Sequence, residues 1–265
     1  MSKSSSSPTS PKAARCRLNK FLAQAGVCSR RKADGYISAG RVRINGHVVT
    51  ELGTRILPDQ DKIEVDGKPL SSPETAAPEG QHTYILVHKP VQVVTTANDP
   101  QGRKTVLDLL PASAQPRRVF PVGRLDFMSE GVLLLTSDGE LTNRFTHPSW
   151  EVEKVYSLTV RGAVAEWQIQ QMRAGMSLKE GERLAPVGVK QTACAAETTE
   201  LELTLHQGLN RQIRRMCRDL GLTILRLKRT QQGPLALGNL APGQWRPLNA
   251  SEITALRKTV GLEAR

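Results

Sequence analysis

A chain of 265 residues is long enough for one large domain or two modest ones, with a sizeable core. Its 37 Lys and Arg against 25 Asp and Glu leave a formal net charge of +12, which points to nucleic acid as partner, with an anionic membrane surface second. The membrane reading is weakened because the sequence contains no apolar run long enough to span, no signal-peptide core and no lipidation motif. Its four cysteines and five histidines are dispersed, with no Cys-x-x-Cys pair. Neither a zinc site nor a disulfide framework is expected, and the chain reads as a reduced, cytoplasmic protein without metal. Aromatics, at 4%, are too few for a long stacking platform. Binding is expected to rest on phosphate contacts and shape, with one base handled individually.

Residues 1–14, with serines, prolines and lysines and little to bury, read as a disordered basic tail. Residues 17–25 have the spacing of a helix, with Leu18, Phe21, Leu22 and Ala25 on one face and Gly26 as its end. Ser29 is placed to cap a second helix over 30–39, with Ala33, Tyr36 and Ile37 inward. Val42-Arg43-Ile44 and Val48-Val49 flank Asn45-Gly46, a hairpin signal, and Ile63-Glu64-Val65 reads as another short strand. Arg30, Arg31 and Lys32 crowd the first turn of the second helix, where cations oppose the helix dipole. A solvated charge run is the ordinary outcome there. Together with Arg15, Arg17, Lys20, Arg41 and Arg43, however, they favour a phosphate-binding face. The stretch from Pro69 to Gln81 holds hardly any large apolar residue and divides the chain. The domains are therefore 15–70 and 82–262, joined by a linker over 71–81.

In the second domain Tyr84-Ile85-Leu86-Val87 reads as a buried strand ending at Lys89-Pro90, and Val93-Val94-Thr95-Thr96 follows it. Arg118-Val119-Phe120, stopped by Pro121, is at most a short strand feeding the stretch Gly123-Arg124-Leu125-Asp126. Glycines at 123 and 131 bound this loop, and Val132 to Thr136 continues as a buried strand. By itself Asp126 reads first as a turn residue bonding its own backbone. Asp138 caps a helix over 140–146, and residues 152–160 alternate as a strand with Lys154 and Tyr156 on one side. A helix is expected over 164–174 and a half-buried strand through Leu201, Leu203 and Leu205. Asn210 then caps a helix through Leu220, with Ile213, Met216, Cys217 and Leu220 as its apolar stripe. Arg211, Arg214, Arg215 and Arg218 fall on or beside its other face. Residues 222–227 return as a strand, and Asn249 with Glu252 forms a capping box for a last helix over 253–260. Irregular alternation with hairpin signals argues for an α+β protein whose mixed, largely antiparallel sheet has helices packed on it. Neither a Gly-x-Gly-x-x-Gly nor a Gly-x-x-x-x-Gly-Lys-Ser/Thr motif is present, so nucleotide-cofactor and NTPase readings lose their support.

Two resemblances join these pieces. The runs Arg17-Leu18-Asn19-Lys20-Phe21-Leu22, Cys28-Ser29-Arg30-Arg31-Lys32-Ala33-Asp34 and Val42-Arg43-Ile44-Asn45-Gly46 resemble a ribosomal-protein-S4-like RNA-binding domain. Gly123-Arg124-Leu125-Asp126, Lys154-x-Tyr156 and Gly208-Leu209-Asn210-Arg211-Gln212-Ile213-Arg214-Arg215-Met216 resemble the RsuA/RluB/RluF branch of the pseudouridine synthases. Lys89-Pro90, Asp99-Pro100-x-Gly102-Arg103 and Gly243-x-Trp245-Arg246 belong to the same likeness, which spans nearly all of 15–260.

The resemblance implies an isomerase that converts a flipped-out uridine of RNA to pseudouridine without cofactor or metal. It makes Asp126 the catalytic carboxylate, either as nucleophile or as the base acting on the ribose. It makes Tyr156 a partner of the uracil and Arg214 the cation that keeps Asp126 ionised and oriented. Arg211 and Arg215 are second choices for that pairing or for phosphate, Arg124 holds the displaced RNA, and Leu227 lines the base pocket. Lys154 and Asn210 are further substrate-binding candidates, with Arg30, Arg31, Lys32 and Arg43 on the first domain. The sequence departs from the family pattern at Gln92, where glycine is usual, and at Met128, where a polar residue is common. Gln207 to Arg211 resembles RluF-like members, whereas Asp138-Gly139-Glu140 and His147-Pro148 resemble RluB. Both subgroups imply large-subunit ribosomal RNA or a pre-ribosomal particle as partner, with small-subunit rRNA or a tRNA anticodon loop in reserve. The chain is expected to be a monomer. The rival from another class is a non-catalytic RNA-binding or ribosome-assembly factor on the same fold.

Overall fold

The computed structural model describes residues 15–70, 82–114 and 119–262, and the chain divides into two compact units, Met1–Gln81 and His82–Arg265. The tail expected over 1–14, the linker expected over 71–81 and Arg118 of the expected short strand lie outside the described residues.

The first unit runs β1 (Cys16–Arg17), α1 (Leu18–Gln24), α2 (Arg30–Ser38), β2 (Val42–Ile44), β3 (His47–Val49), β4 (Arg55–Ile56), β5 (Ile63–Val65) and β6 (Lys68–Leu70). The helices turn Leu18, Phe21, Leu22, Ala33 and Ile37 onto Val42, Ile56 and Ile63, as their helical spacing dictates. Ser29 caps α2 by accepting the Lys32 N–H at 3.2 Å. Asn45 and Gly46 both hold left-handed backbone and turn β2 into β3, within a sheet of order β3-β2-β5-β6. β6 corrects the reading of Pro69 as the start of the linker. Pro69 pairs with Glu64 on an edge strand, where a missing N–H is tolerated.

The second unit runs β7 (Tyr84–Lys89), β8 (Phe120–Pro121), β9 (Glu130–Thr136), α3 (Gly139–Thr146), β10 (Lys154–Arg161), α4 (Glu166–Ala174), β11 (Gly188–Cys194), β12 (Thr198–Leu205), α5 (Gln212–Asp219), β13 (Ile224–Gln232), β14 (Leu235–Ala236), β15 (Trp245–Pro247) and α6 (Ala250–Thr259). Its sheet has the order β11-β12-β10-β13-β9-β7-β15, with β14 beside β13 and β8 beside β9. The β13–β9 pair is parallel and the others are antiparallel, so the expected mixed, largely antiparallel architecture is the one observed.

β9 is buried on both faces, which is why its sequence is a continuous apolar run. Val132 and Leu134 enter the core beneath α3 and α6, while Leu133 and Leu135 pack on the other side with Val93, Val106 and Val119. A third cluster joins β10 and β12 to the stripe Ile213, Met216, Cys217 and Leu220 of α5. Asp138 caps α3 through the N–H groups of Glu140 and Leu141, and Asn249 and Glu252 form the expected capping box of α6.

Residues 93–96 form no strand, and Val94 makes an isolated bridge to Thr105. β8 ends at Pro121, which stands opposite Leu135. Two expectations change. β13 begins at Ile224 and continues past Leu227 to Gln232, because β10 pairs along it and β14 covers its end. Asn210 does not cap α5. The capping position is Arg211, with left-handed φ 51 and ψ 32, while the Gln212 side chain accepts the Leu209 N–H.

Candidate active site

Between β8 and β9 the backbone of residues 125–129 is clamped at every carbonyl. The Leu125 oxygen accepts the Thr95 hydroxyl at 2.8 Å, and the Asp126 oxygen accepts the Ser129 N–H at 3.0 Å. Gln92 N–H donates to the Phe127 oxygen at 2.7 Å, and Arg214 Nη2 to the Met128 oxygen at 2.8 Å. Lys89 Nζ donates to the Ser129 oxygen at 2.7 Å. A loop held at so many points keeps its carboxylate in one place before anything binds, the condition for precise chemistry on a loop. Gly131 extends the restraint into the sheet. Its φ is +116, and a Cβ there would lie 2.1 Å from the Arg229 oxygen, so only glycine lets β9 meet β13 at this point.

The Asp126 side chain opens into a cavity of about 470 Å³, counting its mouth. Its lining carries charge from Arg124, Asp126, Arg211 and Arg214 and apolar surface from Leu205, Leu209, Ile213 and Leu227, with Tyr156 among them. Arg214 Nε lies 3.4 Å and Arg211 Nη1 3.8 Å from Asp126 Oδ2. Arg214 Nη2 also donates to Ser129 Oγ at 3.0 Å, so one guanidinium ties the carboxylate to its own loop. Arg214 is the inner cation and Arg211 the exposed one, with 18% and 55% of their side chains accessible. Tyr156 comes from β10, where it stands opposite Arg229 of β13 just past a bulge; bulges re-aim side chains.

Six of the residues singled out from sequence are thus brought together: Arg124, Asp126, Tyr156, Arg211, Arg214 and Leu227. Others are elsewhere. Arg215 is ion-paired with Glu182, and Asn210 is exposed without lining the cavity. The Lys154 ammonium donates to the carbonyls of Val152 at 2.6 Å and His206 at 3.3 Å. Burial, with help from Arg229, lowers its pKa to about 8. Arg30, Arg31, Lys32 and Arg43 belong to the first unit, all exposed, with Arg30 reaching Asn19 Oδ1 at 3.5 Å. Arg41 is paired with Asp66 and stacked 3.9 Å from the Tyr36 ring centre.

Residue-by-residue reading passed over the support of this site. Lys89 is fully buried, and burial pulls its pKa down to about 8 against the opposing fields of Asp126 and Glu130. Glu130 in turn pairs with Arg226 and lies 3.8 Å from His88 Nε2. A buried lysine at the end of an apolar strand was the available signal, since such a group needs partners. Among the described residues no cluster of three or more His, Cys, Asp or Glu side chains could hold a metal ion, and no helix is long and apolar enough to cross a membrane.

Residues 83–219 match the RNA pseudouridylate synthase family, and residues 16–62 match the S4 domain. The chain belongs to the RNA pseudouridylate synthase family. This synthase is 43% identical over 248 residues to an uncharacterised RNA pseudouridine synthase of Aquifex aeolicus, covering 93% of this chain and 96% of the relative. It is 39% identical to the ribosomal large subunit pseudouridine synthase B of Bacillus subtilis, covering 91% and 95% of the two chains. A crystal structure of a pseudouridylate synthase superposes with a TM-score of 0.64 at 28% identity, covering 91% of this chain and 99% of that one. This synthase is therefore an RNA-modifying isomerase preceded by an S4 domain, and the cavity around Asp126 lies on its synthase unit.

Proposed function

We propose that this synthase isomerises one uridine of large-subunit ribosomal RNA in the cytoplasm, acting as a monomer, with Asp126 as its catalytic carboxylate. The observation that carries the reading is the Asp126–Arg214 pair at 3.4 Å, set on a clamped loop that opens into a cavity lined also by Tyr156 and Leu227. A flipped uridine enters that cavity with its base against Tyr156 and Leu227, while Arg124 and Arg211 meet RNA phosphates. Asp126, as nucleophile or as base, acts on the ribose while the N1–C1′ bond breaks. The uracil turns, C5 bonds to C1′, the C5 hydrogen leaves and N1 gains a proton, so atoms balance without an outside reagent. Arg214 pairs with the carboxylate and aims it, and Tyr156 assists the proton transfer. The relatives named for the ribosomal large subunit support that RNA as the substrate.

The test is to map pseudouridine across total RNA from cells with the gene, without it, and complemented with Asp126→Ala. One position of large-subunit rRNA should lose its pseudouridine in the deletion and in the variant. With purified proteins, conversion should fall on the order of 10³-fold or more, because the group acting on the ribose is gone. RNA affinity should stay within a few-fold, since it rests on the arginines. Unchanged pseudouridine in the deletion, with tight RNA binding intact, would favour the non-catalytic assembly factor. A lost position in small-subunit rRNA or tRNA would move the substrate and keep the chemistry.

A further inference from the structure

The two residues after Asp126 are large, apolar and in water: Phe127 is 41% exposed and Met128 53%. Isolated surface hydrophobes need no explanation, but this pair is adjacent and its backbone is immobilised. The Phe127 carbonyl accepts from Gln92 N–H and the Met128 carbonyl from Arg214, so the turn is fixed while both side chains project. The Gln92 bond also joins this turn to Val91, itself 43% exposed. Neither Phe127 nor Met128 lines the cavity. In the chain they stand between Asp126 and Ser129, both of which line it together with the exposed Arg124 and Arg211. An apolar tip next to a cavity that these cations line is suited to a nucleic-acid stack rather than to a protein core. Taking a base out of its stack leaves a gap whose cost is a few kcal/mol. Nucleic-acid-binding proteins lower such costs by inserting Phe, Leu, Ile or Met between base steps.

We infer that Phe127 and Met128 form a wedge that fills the gap in the RNA stack when the target uridine enters the cavity. The inference rests on the reading of that cavity as the uridine site. The aromatic ring supplies a flat face for one neighbouring base, and the flexible, polarisable thioether adapts to the other. Both are positioning residues, since neither reaches the reacting atoms. The departure from a polar residue at position 128 is accounted for by this contact.

The test compares two RNA stem-loops carrying the uridine identified by mapping: one fully stacked, one with mismatches on both sides of the uridine so that it is already loosened. Single-turnover conversion is measured for the wild type, Phe127→Ser/Met128→Ser and Trp167→Ser, the last removing a 58% exposed tryptophan that does not line the cavity. The double variant should lose about tenfold or more on the stacked RNA, the scale of one base–aromatic stack. It should return to within about threefold of the wild type on the loosened RNA, as it would if only unstacking had been impaired. Trp167→Ser should match the wild type on both. An equal loss on both RNAs, no loss on either, or a matching loss in Trp167→Ser would overturn the wedge. A wild type that converts neither RNA would overturn the functional reading on which it stands, a failure distinct from the variant's.

Discussion

Gln92 holds φ +62, a left-handed conformation that side chains with a Cβ adopt at a cost of about 1–2 kcal/mol. It keeps that conformation because its N–H donates to the Phe127 carbonyl at 2.7 Å and so fixes the loop carrying Asp126. Glycine would hold the same backbone without that steric cost. Replacing Gln92 by Gly removes the steric strain but adds backbone freedom to the unfolded chain, worth about 0.5–1 kcal/mol in the other direction. The strain is the larger of the two. Gln92→Gly should therefore raise the unfolding free energy by about 0.5–1 kcal/mol, read by chemical or thermal denaturation, with conversion rate unchanged because the hydrogen bond is a backbone one. A lower stability would show that the Gln92 side chain makes contacts worth more than the strain.

At the scale of the element, burial on both faces made β9 legible from Val132 to Thr136, yet it begins at Glu130. Glu130 and Gly131 are placed by the parallel pairing with Lys228 and Arg229, a contact across about a hundred residues that no local pattern announces. For the same reason β13 looks finished at Leu227: Lys228 to Gln232 are polar in sequence and become strand through β10 and β14. The family resemblance implied that Arg214 pairs with Asp126, with Arg211 and Arg215 as second choices, but nothing in the motif indicated that Arg215 would turn to Glu182. Nor did Asn210, a good capping type, compete with a turn in which Gln212 already satisfies the Leu209 N–H. Strand β10 yields a test of burial. Lys154 titrates near 10.5 when unfolded and at about 8 in the folded chain. Between those values the unfolded chain holds a proton that the folded chain has released, so stability rises with pH across the window. Relative to Lys154→Met, the wild type should gain stability between pH 8 and 10.5, measured by urea unfolding, and show a flat difference below it. A difference flat through 10.5 would mean that the ammonium is solvated.

For the whole molecule, the +12 charge falls into two functionally different sets. Arg30, Arg31, Lys32 and Arg43 are exposed on the S4 unit. Arg211 and Arg214 of the synthase unit are instead held within 3.8 Å of the Asp126 carboxylate. The first set, with Arg211 as a further phosphate contact, should govern how tightly RNA is held, and the Asp126–Arg214 pair what happens to it. Each phosphate contact contributes about 0.7–0.9 to the slope of log affinity against log salt. Arg30→Ala/Arg31→Ala/Lys32→Ala should accordingly flatten that slope by about 2–3 and weaken binding, while the single-turnover rate at saturating enzyme stays within about threefold. Asp126→Ala should do the reverse, keeping the slope and losing the rate. Titrating fluorescent stem-loop RNA at several salt concentrations, alongside single-turnover conversion, separates the two. A triple variant that binds normally but converts slowly at saturation would show instead that the S4 unit aims the uridine.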